Sequence, residues 1–238
     1  MIILNNVSFS YDKGKEILHD INLHIRKGEK TALIGANGAG KSTLIKALVG
    51  LISVTGSIAV SGMEVSRKNL AAIRQKTGLV LQNSDNQMFM PTVYDDMRFG
   101  PLNYGISGEE TERRIDEVLE KLEISSLKNR QNHKLSGGEK KMASIATILV
   151  MDPDTVIMDE PCSSLDPYNR RKVINIIKSL DKTLLIASHD LDMILETCER
   201  TLIMKDGRIV ADGQTKELLK NRELLENNRL ELPLKYQL

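Results

Sequence analysis

Apolar and polar residues alternate over 2–9 and again over 17–25, the period of strands buried on one face only. Lys30 to Ile34 is a short buried run that enters a glycine-rich loop, and 41–49 continues as a helix, so strand, loop and helix are predicted in that order. Further strands are predicted at 56–60 and 77–81. From 83 to about 150 the pattern turns helical. Ser107-Gly108-Glu109-Glu110 reads as a capping-box start, and Ile115, Val118, Leu119 and Leu122 then form one apolar face. Strand pattern returns at 155–158 and 183–187 with a helix between them, and Asp206-Gly207 signals a hairpin. The expected fold is α/β: a mainly parallel core sheet, an antiparallel N-terminal sheet at its edge, and an inserted helical subdomain at 83–150. Residues 1–215 read as one domain. The leucine-rich tail, 216–238, reads as a helix packed on that domain or as a dimer contact.

Composition narrows the function classes. The 238 residues carry 33 Lys+Arg against 32 Asp+Glu, so no basic excess suggests a nucleic-acid partner. Two cysteines, Cys162 and Cys198, show no metal-type spacing and are too few for a disulfide framework, which favours a reducing cytosol. The N-terminus lacks signal-peptide features, and no stretch reaches the ~18 apolar residues of a membrane span. A soluble chain is expected, whose membrane role, if any, needs a partner.

The chemistry begins at Gly35-Ala36-Asn37-Gly38-Ala39-Gly40-Lys41-Ser42, which fits the P-loop pattern G-x-x-x-x-G-K-[ST]. Main-chain N–H groups from Asn37 to Thr43 are expected to cradle the β- and γ-phosphates, Lys41 to neutralise them, and Ser42 to hold Mg²⁺. Asp159-Glu160 ends a buried strand, at the sheet edge where ligands bind. Asp159 suits Mg²⁺ held through water, and Glu160 suits the general base on an attacking water. Taken alone, such an acid pair is more often a helix cap. Leu135-Ser136-Gly137-Gly138-Glu139 stands directly ahead of a helical pattern, a second place where bare N–H groups favour an anion.

A chain with a P-loop and this second sequence resembles the ATP-binding cassette family, whose ATP lies between one subunit's P-loop and the other subunit's signature loop. The resemblance runs from residue 11 to 189 and implies an ATPase that closes and opens as a dimer. It implies that Ser136, Gly137, Gly138 and Glu139 act on the partner's ATP. Asp166 in Ser164-Leu165-Asp166 matches the D-loop, which reaches the opposite subunit. Gln82 looks like the Q-loop glutamine, a Mg²⁺ and water contact, and His189 like the histidine that contacts the γ-phosphate. Tyr11 resembles the aromatic that stacks on adenine, with plain packing as the alternative. Departures are Glu139 for the usual Gln, Cys162 and Ser163 for a threonine and a small residue, Met142 for an arginine, and Thr155 in an otherwise apolar strand.

The stretch 83–104 resembles the ATPase subunits of energy-coupling factor importers, most closely those for cobalt or nickel. There this region receives helices of an integral membrane coupling protein. Met88, Phe89 and Met90 would supply adaptable apolar surface; a loop packed on its own subdomain is the alternative. The implied protein is an ATP- and Mg²⁺-dependent subunit on the cytoplasmic face of the membrane. It would pair with a copy of itself or a paralogue and drive uptake of a metal ion or vitamin-like solute. The rivals are an ATPase of another importer or exporter, or a soluble ATPase of repair or translation. Repair members need long heptad runs and translation members two cassettes, and this chain has neither.

Overall fold

A computed structural model of the chain describes residues 1–11, 14 and 16–237, so Leu238, the last residue of the expected tail, lies outside it. Among these residues two sheets form. The first joins β1 (Ile2–Ser10), β2 (Glu16–Ile25), β4 (Thr55–Val60) and β5 (Met63–Glu64) in the order β2-β1-β4-β5, every pairing antiparallel. The second joins β3 (Lys30–Ile34), β6 (Thr77–Val80), β7 (Thr155–Asp159), β8 (Thr183–Ala187), β9 (Arg200–Lys205) and β10 (Arg208–Gln214), in the order β10-β9-β3-β8-β7-β6. All its pairings are parallel except the β9–β10 hairpin at one edge, which turns at Asp206-Gly207. The N-terminal strands thus form a separate sheet stacked on the core sheet. A main-chain hydrogen bond from His19 N to Gly207 O, 2.9 Å, ties the two together.

Strands of the parallel sheet bury both faces, and their alternate residues serve two different cores. Leu33, Ile157, Leu185 and Leu202 face the N-terminal sheet and α1 (Lys41–Leu48). Ala32, Ile34, Val156, Met158, Leu184 and Ile186 face the helical side. That side contains α3 (Val93–Asn103), α4 (Gly108–Lys121), α5 (Gly137–Leu149), α6 (Pro167–Ser179) and α7 (Leu191–Thr197), while α2 (Leu70–Lys76) leads into β6. Thr155, unusual in so apolar a strand, sets its hydroxyl 3.2 Å from that of Ser61.

Local sequence signals are redistributed by packing. Ser107 caps α4 by accepting from Glu110 N, but the Glu110 carboxylate bonds Arg113 and Arg114 and does not return to the cap. The reciprocal capping box forms at Ser136 and Glu139, at the start of α5. The tail is not one helix. It breaks into α8 (Thr215–Leu218), α9 (Arg222–Asn227) and a 3₁₀ turn, with Leu219 and Leu225 buried and Leu224, Leu230 and Leu232 against the main core.

Met88, Phe89 and Met90 do not form the single exposed surface expected from sequence. Met88 is 7% exposed and belongs to the core, whereas Phe89 is 65% exposed. Asp96 makes the division. Its carboxylate accepts from Phe89 N and Met90 N, both at 3.2 Å, and from the Asn132 amide, so the main chain turns sharply after Met88. Burial pushes the Asp96 carboxyl up, against the three N–H donors that favour its charge. Asp96→Ala would leave those donors without a partner and should lower the urea unfolding free energy by on the order of 2 kcal/mol. Unchanged unfolding would show that Asp96 does not hold the turn.

Candidate active site

The chain leaves β3 through α1 on one face of the sheet and leaves β7 and β8 through α6 and α7 on the other, so a crevice opens at the carboxyl edge beside β3. Residues 35–40 follow β3 into this crevice. Gly35 must be glycine, because a Cβ there would lie 2.2 Å from the Met204 carbonyl oxygen. Gly40 precedes α1 and offers no side-chain cap, which leaves the first N–H groups of that helix free for an anion. Lys41 Nζ donates to Gly35 O at 2.6 Å and Ala36 O at 3.3 Å, folding the ammonium over the loop. Burial lowers its pKa, while Glu160 and Asp159 pull it back up.

Asp159 and Glu160 end β7 next to the end of β8. Glu160 N donates to Ala187 O at 2.8 Å, and Glu160 itself takes a left-handed φ of +47°, costly for a side chain without special stabilisation. Its carboxylate anchors the turn as well. One oxygen accepts from Ser188 Oγ at 2.9 Å and from His189 N at 3.3 Å, and the other lies 2.9 Å from His189 Nδ1. The Glu160 side chain is 10% exposed and that of His189 70%, so the acid is fixed while the imidazole faces the opening. Asp190, next along, pairs through both oxygens with Arg170 at 2.7 and 2.8 Å and caps α7. That pair braces the histidine turn against α6.

A single cavity of about 700 Å³ gathers most of the expected residues: Tyr11, the loop 35–43, Gln82, Asp159, Glu160 and His189. Tyr11 is exposed there, its ring edge-on to Phe9 at 4.7 Å, so it is not a core packing residue. Arg229 and Leu230 of the tail also line it, a contribution the leucine pattern did not announce.

The cavity lining includes none of Ser136, Gly137, Gly138 or Glu139. These begin α5 elsewhere on the same chain. Ser136 Oγ accepts from Glu139 N at 3.3 Å, and the Glu139 carboxylate accepts from Ser136 N at 2.8 Å. That hydrogen bond, with Arg130 at 2.9 Å, holds the Glu139 carboxyl below the usual range and compensates the charge that a glutamine would not bring. Gly137 is open, with no atom near its missing side chain. Gly138 has a neighbour: a Cβ would lie 2.3 Å from the Asn169 amide. Asn169 is bound to Asp166, the N-cap of α6, so the turn at Gly138 is linked to Asp166 through Asn169 within one chain. Met142 and Cys162 are buried in the core, and burial pushes the Cys162 thiol up to about 12.

Sequence reasoning missed Ser188. A serine before a histidine carries no signal, and only the β7–β8 pairing brings its hydroxyl to Glu160.

The donor set suits a small hard cation. Ser42 Oγ lies 3.4 Å from an Asp159 carboxylate oxygen, and Gln82 shares the cavity. Burial, and then the neighbouring Glu160, raise the pKa of Asp159. One carboxylate, a hydroxyl and an amide fit Mg²⁺, which takes few protein ligands beside phosphate oxygens and water.

A parallel sheet that brings a P-loop, an acid pair and a histidine to its carboxyl edge defines a P-loop nucleoside triphosphatase. Residues 18–163 match the ABC transporter family. The chain is 42% identical to the energy-coupling factor transporter ATP-binding protein EcfA of Methanothermobacter thermautotrophicus, over 98% of this chain and 77% of that protein. Its structure is similar to cbiO1 from Clostridium perfringens, part of the ABC transporter complex cbiONQ. The TM-score is 0.85 at 35% identity, covering 95% of this chain and 93% of the other. A dimeric post-hydrolysis state of the ATP-binding cassette MJ0796, bound to ADP and Pi, matches with a TM-score of 0.82 at 27% identity, covering 90% and 99%. The chain belongs to the ABC transporter family as an ATP-binding subunit, and it is an ATPase. No helix among its described residues is long and apolar enough to cross a membrane.

Ser188→Ala removes the hydroxyl that fixes Glu160 and leaves the phosphate loop intact. Turnover should fall roughly 10- to 100-fold, the cost of a misplaced reacting group, with ATP affinity unchanged by calorimetry. A wild-type kcat would show that Glu160 is held by other contacts.

Proposed function

We propose that this chain energises an importer of the energy-coupling factor type. Two ATPase subunits, identical or paralogous, close on ATP at the cytoplasmic face of the membrane and pass that motion to an integral membrane protein through residues 83–104. The solute is a transition metal ion such as cobalt or nickel, or a vitamin-like small molecule. The observation that carries the reading is an exposed aromatic pair on the segment that follows Gln82. Phe89 and Phe99 meet edge to face at 5.0 Å, and Leu102 and Tyr104 are exposed on the same segment. Apolar residues exposed together mark a docking surface, and such a surface suits the apolar face of a partner helix. The identities with EcfA and cbiO1 support the same transporter class.

The residues divide the work as follows. Main-chain N–H groups of 37–43 and the Lys41 ammonium bind the phosphates, and Tyr11 stacks on the adenine. Ser42, Gln82 and Asp159 would hold Mg²⁺, which would supply positive charge to offset that of the phosphates. Glu160, oriented by Ser188 and His189, takes the proton from the attacking water. His189 donates to the γ-phosphate oxygens. The helix N-terminus at Ser136, Gly137 and Gly138 of the second subunit closes the site, with Glu139 folded back as its cap, and Asp166 reaches across the interface. ATP binds the closed pair better than the open pair and so shifts the equilibrium; hydrolysis releases it. The exposure of Leu234 supports a further contact between subunits in the tail.

Lys41→Ala should abolish ATP binding, and Ser136→Arg should block closure on the partner's ATP. Each variant alone should be inactive, and their mixture should recover part of the ATPase activity, because one composite site in the heterodimer is intact. Heterodimers that form but stay inactive would rule out a shared site.

Phe89→Asp should fold normally and keep basal ATPase activity. It should lose co-purification with the membrane component and cobalt or nickel accumulation by cells expressing the whole transporter. Burying a Phe is worth roughly 1.5–3 kcal/mol, and a carboxylate in its place costs more. Intact assembly would place the coupling surface elsewhere.

A further inference from the structure

Lys141 is 3% exposed, the least solvated lysine position on α5, one turn past the signature glycines. Burying an ammonium is costly unless its N–H groups are matched. Among the described residues it forms no ion pair. Its Nζ donates to two main-chain carbonyls, Gln82 O at 2.7 Å and Leu81 O at 3.0 Å. Its pKa is lowered by burial, against the pull of Cys162, Asp159 and Glu160.

The contact belongs to a polar seam along one face of α5. Gln87 accepts from Leu81 N at 3.0 Å and donates to Ser144 O at 2.6 Å and Thr147 Oγ1 at 3.0 Å. Ser84 Oγ lies 3.2 Å from Ser144 Oγ. Positions 141, 144 and 147 line one face of the helix, and together they fasten the turn after β6 to α5. The turn carries Gln82 into this chain's own nucleotide cavity. The helix N-terminus is the half-site offered to the other subunit. An apolar side chain could fill this place without the desolvation cost of a charge, so packing alone does not account for a lysine.

We infer that Lys141 is a positioning residue that locks the Leu81–Gln82 main chain to the signature helix, so that Gln82 in one nucleotide site and Ser136–Gly138 in the other move as one piece. The inference rests on the two-subunit reading above. Nucleotide engaged at Gln82 is then felt at the opposite site through one helix and two hydrogen bonds, a physical link in place of mere proximity.

Mixed dimers separate the two ends of the link. In the Lys41→Ala with Ser136→Arg mixture, the working site combines the P-loop and Gln82 of the Ser136→Arg chain with the signature helix of the Lys41→Ala chain. Lys141→Met added to the Lys41→Ala chain therefore disturbs only the signature half. Added to the Ser136→Arg chain, it disturbs only the Gln82 half. Both placements should lower the recovered kcat roughly 3- to 30-fold, a range set by typical coupling energies, with ATP affinity unchanged. Lys141→Arg in either chain should restore most of it, since a guanidinium keeps donors for both carbonyls. The cleft beside Lys141, bordered by Gln82, Asn83, Gly137 and Ser163, lets water reach the vacated carbonyls, so the thermal midpoint of Lys141→Met should stay within a few degrees. An effect in one placement only, or in neither, overturns the link. So does a loss that follows the folded fraction and is not rescued by arginine. Failure of the two-subunit reading shows separately, as no recovery in the parent mixture, and would overturn the coupling with it.

Discussion

The hydrogen bond from Glu160 N to Ala187 O carries the β7–β8 pairing one residue beyond the strand and sets the rest of the site. It holds Glu160 in a left-handed turn, with its carboxylate under Ser188 and His189. The acid is thereby stationed at the carboxyl edge of the parallel sheet, beside the loop that leaves β3. Four strand ends meet there, each delivering one group: the P-loop, Gln82, the acid pair and the histidine. Chemistry spread from residue 35 to residue 189 becomes one cavity because the strands run the same way.

The same chain carries a second glycine-bearing helix start that its own cavity does not use. The N-terminus of α5 is capped reciprocally by Ser136 and Glu139, and Gly138 lets Asn169 approach where a side chain would collide. Asn169 in turn holds Asp166, so the signature turn and the start of α6 form one unit. Arg170 joins that helix to Asp190, beside the switch histidine. Contacts within the chain thus tie the His189 end of its cavity to the turn at Ser136–Gly138.

The proposed docking surface and Gln82 share the short stretch after β6. Asp96 divides it, drawing the main chain around so that Met88 enters the core while Phe89 stays out against Phe99. Its polar residues face α5 and its aromatic residues face away. A force applied to the aromatic face would reach Gln82 within a few residues, and through Lys141 the signature helix as well.

Much of this was legible in the linear sequence, because the strongest signals are local. The P-loop pattern, the acid pair at the end of an apolar strand and the strand periods each depend on neighbouring residues, and each lies where its pattern placed it. The sequence also determined the mainly parallel sheet, since strands separated by helices can pair in no simpler way. Tertiary structure decided what depends on distant partners. It set the N-terminal strands in a sheet of their own and closed the capping box at Ser136, where Glu139 was free to return, and not at Ser107, where arginines took Glu110. It sent Met88 and Phe89 in opposite directions through the buried carboxylate of Asp96. It made Ser188 and Lys141 consequential, a serine and a lysine with no pattern of their own. A hydrogen bond between residues dozens of positions apart leaves no trace in the order of residues, because the chain that separates its ends carries no record of their meeting.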